Sequence, residues 1–136
     1  MRIIKNYEEF QKLSNQDLFV VIAKTKTCAV CHPLTDKLLN FMIDYESIPY
    51  YELYLEDVEL FQGQNLVFTV PTVIVFSHGK ELLRESRFID FNKVERLFNL
   101  YLENKEWLIY LLFDFYKIQK NTVHKESCFL YLIFSN

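Results

Sequence analysis

Glycine is scarce in this chain, with 2 in 136 residues, and proline is hardly commoner at 3. A glycine-rich loop of the kind that cradles phosphates is therefore excluded, because such loops need several close backbone approaches. Positive charge is not in excess either. Lys and Arg number 15 against 18 Asp and Glu, a formal net charge of −3. No basic surface for a phosphate backbone follows from that balance, so nucleic acid is not expected as a partner. No uninterrupted apolar run reaches the roughly 18–20 residues of a membrane-spanning helix. The opening "MRIIKNYEEFQKLSNQD" is charged throughout and lacks an apolar stretch of signal-peptide length, which leads to the expectation of a cytoplasmic protein. No Ser, His and Asp order suggests a hydrolytic triad. The carboxylates Glu46, Glu52, Glu56, Asp57 and Glu59 read as a solvated face rather than as acid–base machinery.

What is present is apolar: 51% of residues are hydrophobic, enough for one domain with a core and too short a chain for two ordinary ones. Three cysteines in a reducing compartment do not make a disulfide framework, and a close pair there points to metal or redox chemistry.

Hydrophobic periodicity divides the chain into alternating elements. Arg2 to Lys5 reads as a short strand, and Asn6 with Glu9 three residues on has the form of a reciprocal helix cap. "LFVVIA", Leu18 to Ala23, reads as a central strand covered on both faces. After it come Leu34, Leu38, Phe41, Met42 and Tyr45, the spacing of an amphipathic helix. "IPYYELYL" is a strand, "DVELFQGQN" a short helical segment broken at Gly63, and "TVIVF", Thr72 to Phe76, a second buried strand. "SHGK" is a hairpin turn in which Gly79 supplies positive φ. "ELLRESRF" reads as a polar edge strand. Asp90 then caps a helix whose apolar face is Val94, Leu97, Phe98, Tyr101 and Leu102. The implied fold is α/β, a mixed four- to five-stranded sheet flanked by helices.

Between the first buried strand and its helix stands "AKTKTCAVCHPL", residues 23 to 34. Cys28 and Cys31 are two residues apart, where a strand hands over to a helix. "VPT", Val70-Pro71-Thr72, opens the second buried strand, and Pro71 lies 40 residues after Cys31. In these features the chain resembles the thioredoxin superfamily, specifically its small bacterial thioredoxin-like proteins, over residues 1 to 104. The resemblance implies a thioredoxin-like fold and a cis Val70–Pro71 bond packed against the cysteine pair. It also implies that Val70 offers its backbone to an extended substrate.

The chemistry agrees independently. Thiolate is the attacking species, and helix N-terminal amides favour negative charge. Cys28 is therefore the expected exposed nucleophile and Cys31 the more buried resolving thiol. Lys24 and Lys26 add positive potential, and His32 is a candidate proton partner of Cys31 or an exposed helix residue. Pro33 is expected to cost a backbone hydrogen bond and bend its helix.

The chain also departs from the family pattern. Thr27-Cys28-Ala29-Val30-Cys31 replaces Trp-Cys-Gly-Pro-Cys. Ile22 stands where the family carries a buried acid, and Thr69 and Arg87 stand near two family glycines. Zinc is a weaker reading of Cys28, Cys31 and His32, since His78, His124 and Cys128 form no second pair. From Lys105, "KEWLIYLLFDFYKIQKNTVHKESCFLYLIFSN" exceeds the domain. It is expected to be an apolar accessory helix of uncertain role, residues 105–136, whose apolar surface, if exposed, would favour self-association, with Cys128 an inert filler.

The expected function is thiol–disulfide exchange on protein or low-molecular-weight disulfides, with a thiol or reductase as electron donor and no bound cofactor. The alternative is a thioredoxin-fold module for binding or redox sensing.

Overall fold

A computed structural model describes residues 2–105. In chain order the elements are β1 (Arg2–Ile4), α1 (Tyr7–Leu13), β2 (Phe19–Lys24) and α2 (Cys31–Met42), which runs into a 3₁₀ turn at Ile43–Tyr45. Then follow β3 (Tyr50–Tyr54), α3 (Glu59–Gln64), β4 (Thr72–Ser77) and β5 (Lys80–Ser86). The strands form one sheet in the order β1-β3-β2-β4-β5. β1, β3 and β2 run parallel, while β4 is antiparallel to β2 and β5 to β4. By contact the chain divides into two units, Met1–Asp90 and a second beginning at Phe91. In the second, residues 91–105 are helical (α4), and Val94 and Phe98 are buried. The expectations for the extension beyond residue 105, for His124 and Cys128, and for self-association lie outside the described residues.

The sheet is built around β2, whose six residues are all buried. Side chains alternate across a strand. Phe19, Val21 and Ala23 therefore join Ile4, Phe10, Tyr51, Leu53, Phe61, Ile74 and Phe76 in one cluster, while Val20, Ile22 and Lys24 face the other way. Burial on both faces is what makes this strand a continuous apolar run. In β3 the alternation is visible: Tyr51 and Leu53 are buried, and Tyr50, Glu52 and Tyr54 are half-buried. β5 is the polar edge, which discourages pairing with other chains.

The first helix is capped as expected, with one change. Asn6 Oδ1 accepts the Glu9 N–H at 2.8 Å. Glu9, however, returns the contact to the Lys5 N–H at 2.9 Å instead of to Asn6, because its other oxygen is drawn to Arg2 at 2.6 Å. The Lys5 amide first, then Arg2, hold the Glu9 carboxyl below the ordinary value of 4.5. A carboxyl lowered in the folded state adds stability above its unfolded pKa and loses it as pH falls through the folded one. Glu9→Gln should therefore lower stability by about 0.5–1 kcal/mol at pH 7, the scale of a largely exposed ion pair. Urea unfolding at pH 7 and pH 3 should show that difference shrinking in acid.

Two turns repay closer reading. At the β4–β5 hairpin both His78 (φ 48°) and Gly79 (φ 76°) are left-handed, the signature of a type I′ turn. Gly63, expected to break α3, lies inside it. Its absent Cβ would meet nothing within 4 Å. An exposed helical glycine costs about 1 kcal/mol without stopping a helix. The helix ends instead at Asn65, whose side-chain amide donates to the Phe61 carbonyl at 3.2 Å, followed by left-handed Leu66.

Candidate active site

β2 delivers the chain at Lys24 into two tight turns. The Cys28 N–H donates to the Thr25 carbonyl and the Cys31 N–H to the Cys28 carbonyl, both at 3.3 Å. Only then does α2 begin, at Cys31. Cys28 thus precedes the helix by a turn instead of opening it. The cap position, Val30, has no side-chain acceptor with which to start the helix earlier. Cys28 and Cys31 are joined by a disulfide with a Cα–Cα distance of 5.4 Å, inside the range that bridges without backbone movement. Their exposure is unequal: Cys28 is half-buried, while Cys31 is 1% exposed.

The Val70–Pro71 bond is cis. Pro71 directly precedes Thr72, and Thr72 pairs with Ala23 across the β2–β4 ladder. The proline and the cysteine loop therefore leave adjacent strands at the same end of the sheet. Val70 packs its side chain against the core. Among the described residues, no hydrogen bond uses the Val70 N–H or carbonyl.

No protein-family model matches this chain. It is 32% identical over 102 residues to the thioredoxin-like protein YdfQ of Bacillus subtilis, a match covering 72% of this chain and 87% of that one. The chain belongs to the thioredoxin-like family. A crystal structure of a thioredoxin-like protein from Bacillus cereus agrees at 33% identity and TM-score 0.55, covering 67% of this chain and 95% of that one. The fold is also that of thioredoxin from Plasmodium falciparum (TM-score 0.65, 16% identity, 74% and 99% covered) and from Fasciola hepatica (0.64, 20%, 73% and 97%).

In this thioredoxin-like chain Lys26 and Pro33 differ from the sequence expectation. The Lys26 ammonium is turned away to Asp57 at 2.5 Å, and its backbone N–H donates to Glu56 at 2.9 Å. The hydrogen bond with Asp57 holds the Lys26 ammonium above the ordinary lysine value. His32 is exposed on α2. Pro33 sits in the first helical turn, where backbone N–H groups have no intrahelical partner, so it forfeits no bond. His78 faces Asp17 at 3.5 Å. Among the described residues no three His, Cys, Asp or Glu side chains converge on a metal position.

Glu52, read as part of a solvated face, is instead ion-paired with Lys24 at 2.5 Å. Lys24 is 3% exposed. Its ammonium also donates to Thr35 Oγ1 at 3.4 Å and lies 4.9 Å from the centre of the Tyr54 ring. Thr35 in turn donates to the Cys31 carbonyl at 2.8 Å. The available signal was a carboxylate in mid-strand at Glu52 and a lysine closing a wholly apolar run.

Arg87 has a left-handed, glycine-like backbone, with φ 65° and its N–H donating to the Pro71 carbonyl at 2.8 Å. A side chain there is strained by Cβ–carbonyl contact. Arg87→Gly should stabilise the chain by about 0.5–1 kcal/mol, the strain relieved less glycine's greater unfolded-state entropy. Thermal unfolding would register it as a rise of several degrees, and no change or a fall would contradict it.

Proposed function

We propose that this chain is a thiol–disulfide oxidoreductase acting through Cys28 and Cys31 on protein or low-molecular-weight disulfides. The observation that carries the reading is one bridgeable cysteine pair with one half-exposed and one buried member, beside a cis-proline strand start. Cys28 thiolate attacks a substrate sulfur, forming a mixed disulfide and expelling the first thiolate. Cys31 then attacks the Cys28 sulfur, closing the 28–31 disulfide and releasing the second half of the substrate as a thiol. Two electrons pass from the dithiol to the substrate, and a thiol or reductase donor restores them. No bound cofactor takes part. The backbone of Val70, which has no hydrogen-bond partner among the described residues, lies ahead of Pro71 and suits an extended substrate segment. His32 and Lys26 are at most modulators in this scheme. The proposed setting is the cytoplasm. Among the described residues no helix is long and apolar enough to cross a membrane.

A binding or redox-sensing module is the second reading, favoured by Ile22, which is fully buried where thioredoxins hold an acid. Dithiol-coupled insulin reduction by wild type, Cys28→Ser and Cys31→Ser separates the two. Turnover by wild type that both variants lose supports the oxidoreductase. Equal, negligible rates in all three support the module.

A further inference from the structure

We propose that Lys24, held in place by Glu52, sets the acidity of the Cys31 thiol and so paces release of substrate from the mixed disulfide. This rests on the oxidoreductase reading and deepens it.

Lysine is seldom fully buried without a partner. Here it closes a strand whose other five residues are all buried and apolar. Stability does not account for the choice, because replacing a buried ion pair with well-packed apolar residues is often neutral or stabilising. The neighbours of the ammonium suggest another role. β3 presents the Glu52 carboxylate and the Tyr54 ring, and α2 presents the Thr35 hydroxyl, which donates to the Cys31 backbone carbonyl. β4 brings only Thr72, with Pro71 before it, to this end of the sheet, and neither is charged. On α2, His32 faces solvent.

Cys31 is 1% exposed, and burial by itself disfavours a thiolate. In the mixed disulfide Cys31 must nevertheless ionise to attack the Cys28 sulfur. The Cys31–Cys28 bond forms, the bond from Cys28 to substrate breaks, and the departing thiolate takes up the proton that Cys31 lost. The Lys24 ammonium, one hydroxyl removed from the Cys31 backbone, offsets the burial and favours the charged form. Lys24 does not touch the reacting sulfurs. It is a positioning residue acting on Cys31, and Glu52 keeps it in place.

The test is peptide-resolved alkylation of Cys31 against pH in the full chain carrying Cys28→Ser, which frees Cys31 and distinguishes it from Cys128. Adding Lys24→Met should raise the midpoint by about one pH unit, a roughly tenfold slower reaction at pH 7. Lys24→Arg should return it to the parent value, a rescue that a purely structural role does not predict. Lys24→Gln, which keeps a donor to Thr35 without the charge, should shift as Lys24→Met does and serves if the methionine variant fails to fold. A midpoint unchanged in the folded neutral variant overturns the role of Lys24, while insulin reduction by wild type leaves the oxidoreductase standing. Absence of wild-type turnover overturns both.

Discussion

Cys31→Ser should accumulate a covalent adduct with substrate, whereas Cys28→Ser should accumulate none. The asymmetry follows from exposure. Cys28 is the half-exposed sulfur, and Cys31, at the first residue of α2, is 1% exposed. Only Cys28 can meet a protein disulfide without opening the fold. Once the mixed disulfide forms, its escape depends on Cys31, because an intramolecular thiol at bridging distance outcompetes thiols in solution by effective concentration. Serine in place of Cys31 removes the attacking sulfur and leaves the adduct intact. Non-reducing electrophoresis and intact mass spectrometry after incubation with an oxidised peptide would show the increment on Cys31→Ser alone. Adducts on Cys28→Ser instead would reverse the assignment of roles. Adducts on neither would remove exchange chemistry from the account.

How far the site could be read from sequence varies with the range of the forces involved. The strands Phe19–Lys24 and Thr72–Ser77 were legible to within a residue at each end, because burial on both faces leaves an unbroken apolar run. The cysteine pair and Pro71 were legible as a spacing, and the family resemblance they carried agrees with the fold. The Lys24–Glu52 pair was not. It exists because parallel pairing sets Ile22 opposite Glu52 and Lys24 opposite Tyr54, so the partners, 28 positions apart in sequence, meet diagonally across the two strands. Nothing local to either residue announces that meeting. Nor did the helical spacing of Leu34, Leu38 and Met42 place Thr35 inside, although Thr35 is buried and hydrogen-bonded to Cys31. A threonine carries no periodic signal of its own. The break expected at Gly63 failed for a simpler reason: a propensity of about 1 kcal/mol yields to the burial of Phe61 in the same helix.

That burial makes Phe61→Ala the substitution with the largest expected effect on stability. Phe61 is 0% exposed, and its ring meets Phe10 edge-on at a centroid distance of 4.8 Å. Phe10 in turn meets Phe76 edge-on at 5.4 Å and Phe19 at a tilt at 6.4 Å. Truncation removes the transfer energy of a large ring and leaves a cavity against three elements that cannot all close on it. Such changes cost about 3–5 kcal/mol, a large part of the roughly 5–15 kcal/mol that holds a domain together. The melting temperature should fall by about 15–30 °C, given about 4–8 °C per kcal/mol for a unit of this size. Leu60→Ala, one residue away on the same helix but 62% exposed, should change stability by no more than about 0.5 kcal/mol. Paired thermal and urea unfolding of the two variants tests the packing directly. If they lose similar stability, α3 does not hold its place through Phe61. If only Phe61→Ala falls, the cluster on this face of β2 is what holds the sheet, and the cysteine loop that leaves its end, in position.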